Sequence, residues 1–153
     1  MLHFRFALPS DVNLYFKWTN DHQVRKNSFI TNEILYDDHV KWFNAKLKSE
    51  ICFFYLFFND ENIPVGQVRI EKNNEETIIG ISIDKHHRGK SYGVPMLLMS
   101  CQDYFKKFPD GKIVAYIKEN NITSLMIFKK AGFSGDENVN LHGQNNYKLY
   151  IRR

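Results

Sequence analysis

The spacing of apolar positions shifts several times along the chain, and each shift predicts a new element. Leu2 to Ala7 reads as a short strand. Pro9-Ser10-Asp11 resembles a helix start with Ser10 as N-cap, and Leu14, Tyr15 and Trp18 give the following helix an apolar stripe. Residues 19–35 are polar and irregular, which predicts a loop with a broken helix. Asp37 and Asp38 suit a helix amino terminus, and Tyr36, Val40, Phe43 and Leu47 have the spacing of one buried face. His39 and Trp42, three apart, share a neighbouring face.

The period then becomes that of strands. Ile51–Phe58 is a β-rich apolar run, Val65–Glu71 alternates, and Thr77–Asp84 follows the turn at Lys72–Glu75. Three strands joined by short turns predict an antiparallel meander. From Val94 the period is helical, with Val94, Leu97, Leu98, Cys101, Tyr104, Phe105 and Phe108 on one stripe and Pro95 in the first turn. Pro109-Asp110-Gly111 ends that helix, and Ile113–Ile117 is an apolar strand. Strand, helix, strand from Thr77 to Ile117 favours parallel pairing. A last helix runs from Asn121 to Lys130, and Tyr147–Ile151 closes the chain as a strand. The fold class is α+β, a mixed, mostly antiparallel sheet flanked by helices.

Composition narrows the picture. The 153 residues suit one domain, residues 1–153, with no linker, repeat or low-complexity tract. A net charge of +4 is mild, and its Lys and Arg alternate with Asp and Glu, which argues against nucleic acid as a partner. The longest apolar run falls far short of the roughly 20 residues that span a bilayer, and the amino terminus lacks a signal-peptide pattern. A cytoplasmic, non-membrane protein is expected. Cys52 and Cys101 lie in apolar stretches without metal or redox spacing, so no metal is expected. Association as a homodimer is left open.

The chemistry concentrates in Ile83-Asp84-Lys85-His86-His87-Arg88-Gly89-Lys90-Ser91-Tyr92-Gly93-Val94-Pro95. A strand ends, a loop with two Gly and two basic side chains follows, and a helix begins. Amides at a helix amino terminus lack partners and the helix dipole favours negative charge there, so a pyrophosphate is the natural guest. The structural alternative is an ordinary strand-to-helix turn with incidental charges.

Arg88-Gly89-Lys90-Ser91-Tyr92-Gly93 resembles the pyrophosphate signature of the GNAT N-acetyltransferases, with Ser91 where the family has its middle Gly. Asn121-Ile122-Thr123-Ser124 and Phe128-Lys129-Lys130-Ala131-Gly132-Phe133 resemble the family's second segment, with Asn121 and Ser124 also readable as N-cap residues. The resemblance implies a GNAT fold with a strand-helix-strand unit for coenzyme A. It implies acetyl-CoA as co-substrate, and Ile81, Ile83, Arg88, Gly89, Lys90, Ser91, Tyr92, Gly93, Asn121, Ser124 and Phe128 as its contacts. The amine attacks the thioester directly in such enzymes. Phe128 occupies the position of their frequent general acid, a Tyr, so either another group protonates the thiolate, with Tyr92, Tyr104, Tyr116 and Tyr147 available, or the thiolate leaves unassisted or through water. Glu71 and Asp84, at strand ends, are the candidate bases, each also readable as a solvated turn carboxylate.

For the acceptor, the pattern around Trp18, Asn20, Asp21, Val24, Arg25, Ser28, Phe29, Ile34, His39, Trp42 and Phe43 resembles sugar-nucleotide N-acetyltransferases of the pseudaminic acid type. It implies a small-molecule amine, the amino group of a nucleotide-linked amino sugar. Arg25 would clamp a nucleotide phosphate, His39 hydrogen-bond phosphate or sugar and Trp42 stack on a ring, with Asn20 a further substrate-binding candidate. His39 also reads as a surface or capping residue, Asn20 as a turn residue, and Trp18 and Phe43 as core. The alternatives are a protein amino-terminal acetyltransferase, an antibiotic or polyamine acetyltransferase, and an acyl-CoA-binding module without catalysis.

Overall fold

A computed structural model describes all residues, 1–153. Seven strands form one sheet: β1 (His3–Phe6), β2 (Cys52–Phe58), β3 (Pro64–Asn73), β4 (Glu76–Ile83), β5 (Lys112–Lys118), β6 (Ser134–Leu141) and β7 (Gln144–Arg152). Their order across the sheet is β1-β2-β3-β4-β5-β7-β6, and every pair is antiparallel except β4 with β5. Five helices complete it: α1 (Val12–Thr19), α2 (His22–Lys26), α3 (Tyr36–Lys48), α4 (Gly93–Lys107) and α5 (Ile122–Lys130). The mixed, mostly antiparallel α+β architecture is the expected one.

Alternation in the strands divides the side chains between two cores. On one face Tyr55, Val68, Ile70, Ile79, Ile113, Ala115 and Leu149 pack with Met96, Leu97, Cys101, Tyr104 and Phe105 of α4 and with Phe128 of α5. On the other, Phe54 and Leu56 of β2 meet Tyr15 and Trp18 of α1 and Phe43 of α3. The second core is small and aromatic: the Tyr15 ring lies 4.9 Å from Phe43 and 5.2 Å from Phe54. It covers the sheet only as far as β3, so β4 and β5 have an uncovered face.

Three local expectations are corrected and one is made specific. Ser10 is not the cap of α1: residues 9–11 form a short 3-10 turn, and the Asp11 carboxylate accepts from the Leu8 amide at 2.7 Å and from Arg5. The broken helix of residues 19–35 is α2, started by the Asp21 side chain, which accepts from the Gln23 and Val24 amides. Two apolar stripes sit off the expected line. Leu98 of α4 and Phe108 just after it are exposed while Met96 and Ser100 are buried, and Tyr36 of α3 is exposed with its hydroxyl on Asn13. Finally, the carboxyl-terminal strand has a partner: β6 and β7 form a hairpin around His142-Gly143, both at positive φ (52° and 77°). Such a turn matches the twist of paired strands.

Gly66 of β3 lies where the sheet and α4 come closest. A Cβ there would sit 2.6 Å from the Ser82 carbonyl oxygen and 2.9 Å from the Met96 methyl. Gly66→Ala is therefore expected to lower stability by about 2 kcal/mol, read from chemical denaturation, because the β4 backbone cannot retreat without losing its pairing with β3.

Candidate active-site cleft

The parallel pairing of β4 and β5 lasts for two residue pairs, Thr77 with Ile113 and Ile78 with Val114. Beyond Ile78 the strands diverge. β4 stays paired to β3 as far as Ile83 and β5 stays paired to β7 as far as Lys118. The edges that face each other across the gap are thus left without strand partners. Buried backbone polar groups need partners, and these edges have the hydrogen-bonding pattern that a ligand with amide groups of its own would complement.

The gap opens into a cleft of about 1070 Å³. Its floor is β4 from Ile79 to Ile83 with Gln67 and Arg69 of β3, and one wall is Tyr116, Ile117 and Lys118 of β5 with the start of α5. The other wall is Trp18 of α1, α2, residues 27–35, and His39 and Trp42 of α3. Gly80 sits in the floor, and a Cβ there would meet nothing within 4 Å. A strand glycine facing empty space marks a place where a ligand lies close to the backbone.

At one end the cleft meets the loop from Asp84 to Gly93. No amide from Arg88 to Val94 donates a hydrogen bond within the protein. Gly89 (φ 77°) and Ser91 (φ 62°) adopt left-handed conformations that turn successive N–H groups into one concavity ahead of α4. Lys90 is exposed and has no acidic partner. Together these unpaired amides form a backbone cradle whose shape and polarity suit an anion. Gly93, at the first position of α4, lets α5 approach: a Cβ there would lie 2.9 Å from the Ile127 side chain.

A domain model described as "Acetyltransferase (GNAT) domain" matches residues 2–134. The chain belongs to the GNAT acetyltransferase family. A curated relative, the uncharacterized N-acetyltransferase YfmK of Bacillus subtilis (strain 168), is 38% identical over 77 residues. That match covers 49% of this chain and 50% of the relative, so the chain spans about half the length of the curated relative it matches. Among solved structures, the spermidine N-acetyltransferase of Vibrio cholerae in complex with CoA and spermine superposes with a TM-score of 0.86 at 16% identity, covering 98% of this chain and 94% of that one. The aminoglycoside acetyltransferase AAC(6')-Ib in complex with coenzyme A gives 0.84 at 14% identity, covering 100% and 95%. At these identities the likeness is one of fold.

In this GNAT domain several expected site residues have other tasks. The Arg88 guanidinium turns inward, donating to the Ile83 carbonyl at 3.1 Å and to Asp21 at 2.7 Å, so only its amide faces the cradle. Asp84 is buried. Its carboxylate accepts from the Trp18 indole at 2.8 Å and the His86 amide at 2.9 Å, with Lys17 4.0 Å away. Burial alone would raise its pKa, but these donors outweigh it and hold the carboxyl below its usual range. A carboxylate with its lone pairs filled is a weak base. Glu71 is paired with Lys46 of α3 and does not line the cleft. Neither carboxylate is placed as a free base.

The acceptor segment is similarly committed. Arg25 donates to the carbonyls of Thr19 (2.7 Å), Ile30 (2.9 Å) and Asn32 (3.4 Å) and to Ser28 Oγ (3.1 Å). It staples the loop rather than presenting a free fork, and burial lowers its pKa. Asn20 exchanges two 2.8 Å hydrogen bonds with the backbone of Ile34. His39 is buried, which lowers its pKa against the opposing hydrogen bond that its Nε2 donates to the Val12 carbonyl at 3.0 Å. Trp42 does line the cleft, as do Ile81, Ile83, Gly89, Asn121, Ser124 and Phe128. The Asn121 side chain accepts from the Ser124 amide at 3.3 Å, so the cap and the cleft wall are one structure. Phe128 packs edge-on against Phe133. Tyr92 lies beside His87, and Lys90, Ser91, Tyr92 and Gly93 belong to the cradle but not to the cleft wall.

The structure adds residues that sequence reasoning passed over: Gln67, Arg69, Gly80, Ser82, Glu33, Asp38 and Tyr15. The alternation of Val65–Glu71 puts Gln67, Arg69 and Glu71 on one face, so the signal for the first two was present.

Ser91 is a β-carbon residue in a left-handed conformation, which disfavours it relative to glycine. Ser91→Gly is expected to stabilise the fold by about 1 kcal/mol in chemical denaturation, an effect reduced by the greater freedom of glycine in the unfolded chain. Arg25→Ala removes the donors from four acceptors. It is expected to cost about 2 kcal/mol and to speed amide exchange selectively across residues 27–34.

Proposed function

We propose that this GNAT domain transfers an acetyl group from acetyl-CoA to a small-molecule primary amine. The observation that carries the reading is the continuity of the β4–β5 gap with the amide cradle at residues 88–94. The cradle suits the pyrophosphate, with Lys90 adding charge, and the edges of Ile79–Ile83 and Tyr116–Lys118 suit the amide-bearing arm. Acetyl-CoA supplies the activated thioester. The protein's part is to hold the amine over the floor of the cleft and to manage its proton.

Gln67 Nε2 donates to Ser82 Oγ at 2.9 Å, while Gln67 Oε1 is buried with no donor of its own. An amine N–H over the floor satisfies that oxygen. Glu33 and Asp38 at the mouth are exposed and unpaired, and pass the amine's proton to solvent. Of the two phenols lining the cleft, Tyr116 donates to Glu76 at 2.5 Å, whereas the Tyr15 hydroxyl is buried without a partner and burial raises its pKa far above the ordinary value. Neither phenol is therefore a ready proton donor in place of the one lost at Phe128, and the thiolate leaves with a proton from water or from the amine itself.

The amino group of a nucleotide-linked amino sugar is the finer proposal for the acceptor, supported by the Trp42 ring in the cleft wall. With Arg25 committed, a phosphate has to be met by another cation. A polyamine or aminoglycoside is the second reading, favoured by the free carboxylates of Glu33 and Asp38.

Acetyl-CoA at 100 times its Kd is expected to stabilise the protein by about 2.7 kcal/mol, seen as a rise in melting temperature. Gly89→Val, which forces a β-branched residue into a left-handed position with open space around it, is expected to remove that rise while leaving the fold intact. Turnover with primary amines can be followed by free thiol, since Cys52 and Cys101 are buried and their pKa values are pushed up to about 11 and about 12. No thermal response at millimolar acetyl-CoA refutes the reading.

A further inference from the structure

Arg69 reaches from β3 onto the cleft floor, is half-buried and has no carboxylate partner. The other two arginines of the cleft differ from it. Arg25 is spent on carbonyls, and Arg88 on Asp21 and Ile83. The guanidinium of Arg69 makes one close contact, with the Trp42 ring 5.3 Å away. Its register partner on β4 is Gly80, where an added Cβ would meet nothing within 4 Å, so the volume beside it is open. Glu71, two residues along the same face, is held off by Lys46.

A half-buried guanidinium with no acceptor in the protein has its donors available to a ligand. Placement over the indole face biases the position of the group and leaves N–H donors for a planar or tetrahedral anion, which can take two bonds from it. The unpartnered oxygen of Gln67, two residues back on the same strand face, faces the same floor. An acceptor of N–H and a donor to oxyanions are thus set side by side.

We propose that Arg69, oriented by Trp42, determines acceptor specificity by binding an acidic group, phosphate or carboxylate, carried by the amine. The proposal rests on the acetyltransferase reading above. It deepens that reading by requiring an acceptor with both an amine and an anion.

The test uses protein saturated with CoA, so that the amides of residues 88–94 are filled, and then acetyl-CoA for turnover. The probes are matched pairs: O-phosphoethanolamine with ethanolamine, glucosamine 6-phosphate with glucosamine, and β-alanine with β-alaninamide, together with spermidine and kanamycin. Wild type is expected to bind, and to acetylate, the acidic member of at least one pair ten times or more better than its neutral mate. The phosphate pairs and the carboxylate pair tell which anion is read. Arg69→Gln is expected to abolish the preference by raising KM for the acidic member with KM for acetyl-CoA unchanged, and Arg69→Lys to keep part of it. Equal treatment of all pairs, the same preference in Arg69→Gln, a preference for spermidine or kanamycin, or no Arg69-dependent binding of any acidic probe overturns the proposal. Failure to bind CoA at all counts instead against the acetyltransferase reading, and melting curves of both variants confirm that they are folded.

Discussion

Parallel strands joined by a helix ordinarily stay paired along their length, because each unpaired edge group removed from water costs free energy. In this domain β4 and β5 part after two residue pairs, and the divergence sets the position of almost everything else. β3 and β7 hold the outer edges of the two strands, so the gap is rigid on both sides. α4 starts where β4 ends, which directs its free amides into the gap, and α5 closes the far wall from β5. The cleft follows from where pairing stops.

Buried polar side chains hold this frame in register. Asp84 joins the end of β4 to Trp18 of α1, and Arg88 joins the cradle to Asp21 at the start of α2. Burial opposes ionisation of both carboxylates, yet hydrogen bonds and charge hold each below the usual range. Arg25 and Asn20 then fasten residues 28–34, a segment with few apolar contacts of its own. Polar groups that read from the sequence as chemistry serve as fasteners, and the cleft surface is made from residues between them.

The elements that were legible in the sequence are those with strong periodicity and a buried face. The β2–β3–β4 meander, α4 and β5 are where the hydrophobic pattern puts them, and the cradle was visible through its glycines and its place between strand and helix. β6 was not legible, because Ser134–Leu141 is almost wholly exposed and polar and carries no alternation. Its existence shows only in the turn at His142-Gly143. For the site, backbone geometry could be inferred while side-chain commitments could not. Nothing in the spacing of Arg25, Arg88 or Asp84 distinguishes a residue that faces a ligand from one that meets a carbonyl six residues away or a helix on the other side of the sheet. Arg69 was hidden by the opposite error, since an isolated basic residue in a strand looks like a solvated one.

The cradle at residues 88–94 is made of main-chain N–H groups, which every residue but proline possesses. Its specification is a path of the main chain, two left-handed turns and a helix start, and many side chains are compatible with that path; a serine sits at one of the left-handed positions here. Substitutions around it therefore meet little resistance so long as the path survives. This leaves the opposite wall of the cleft, built from side chains, free to diverge without disturbing the cradle.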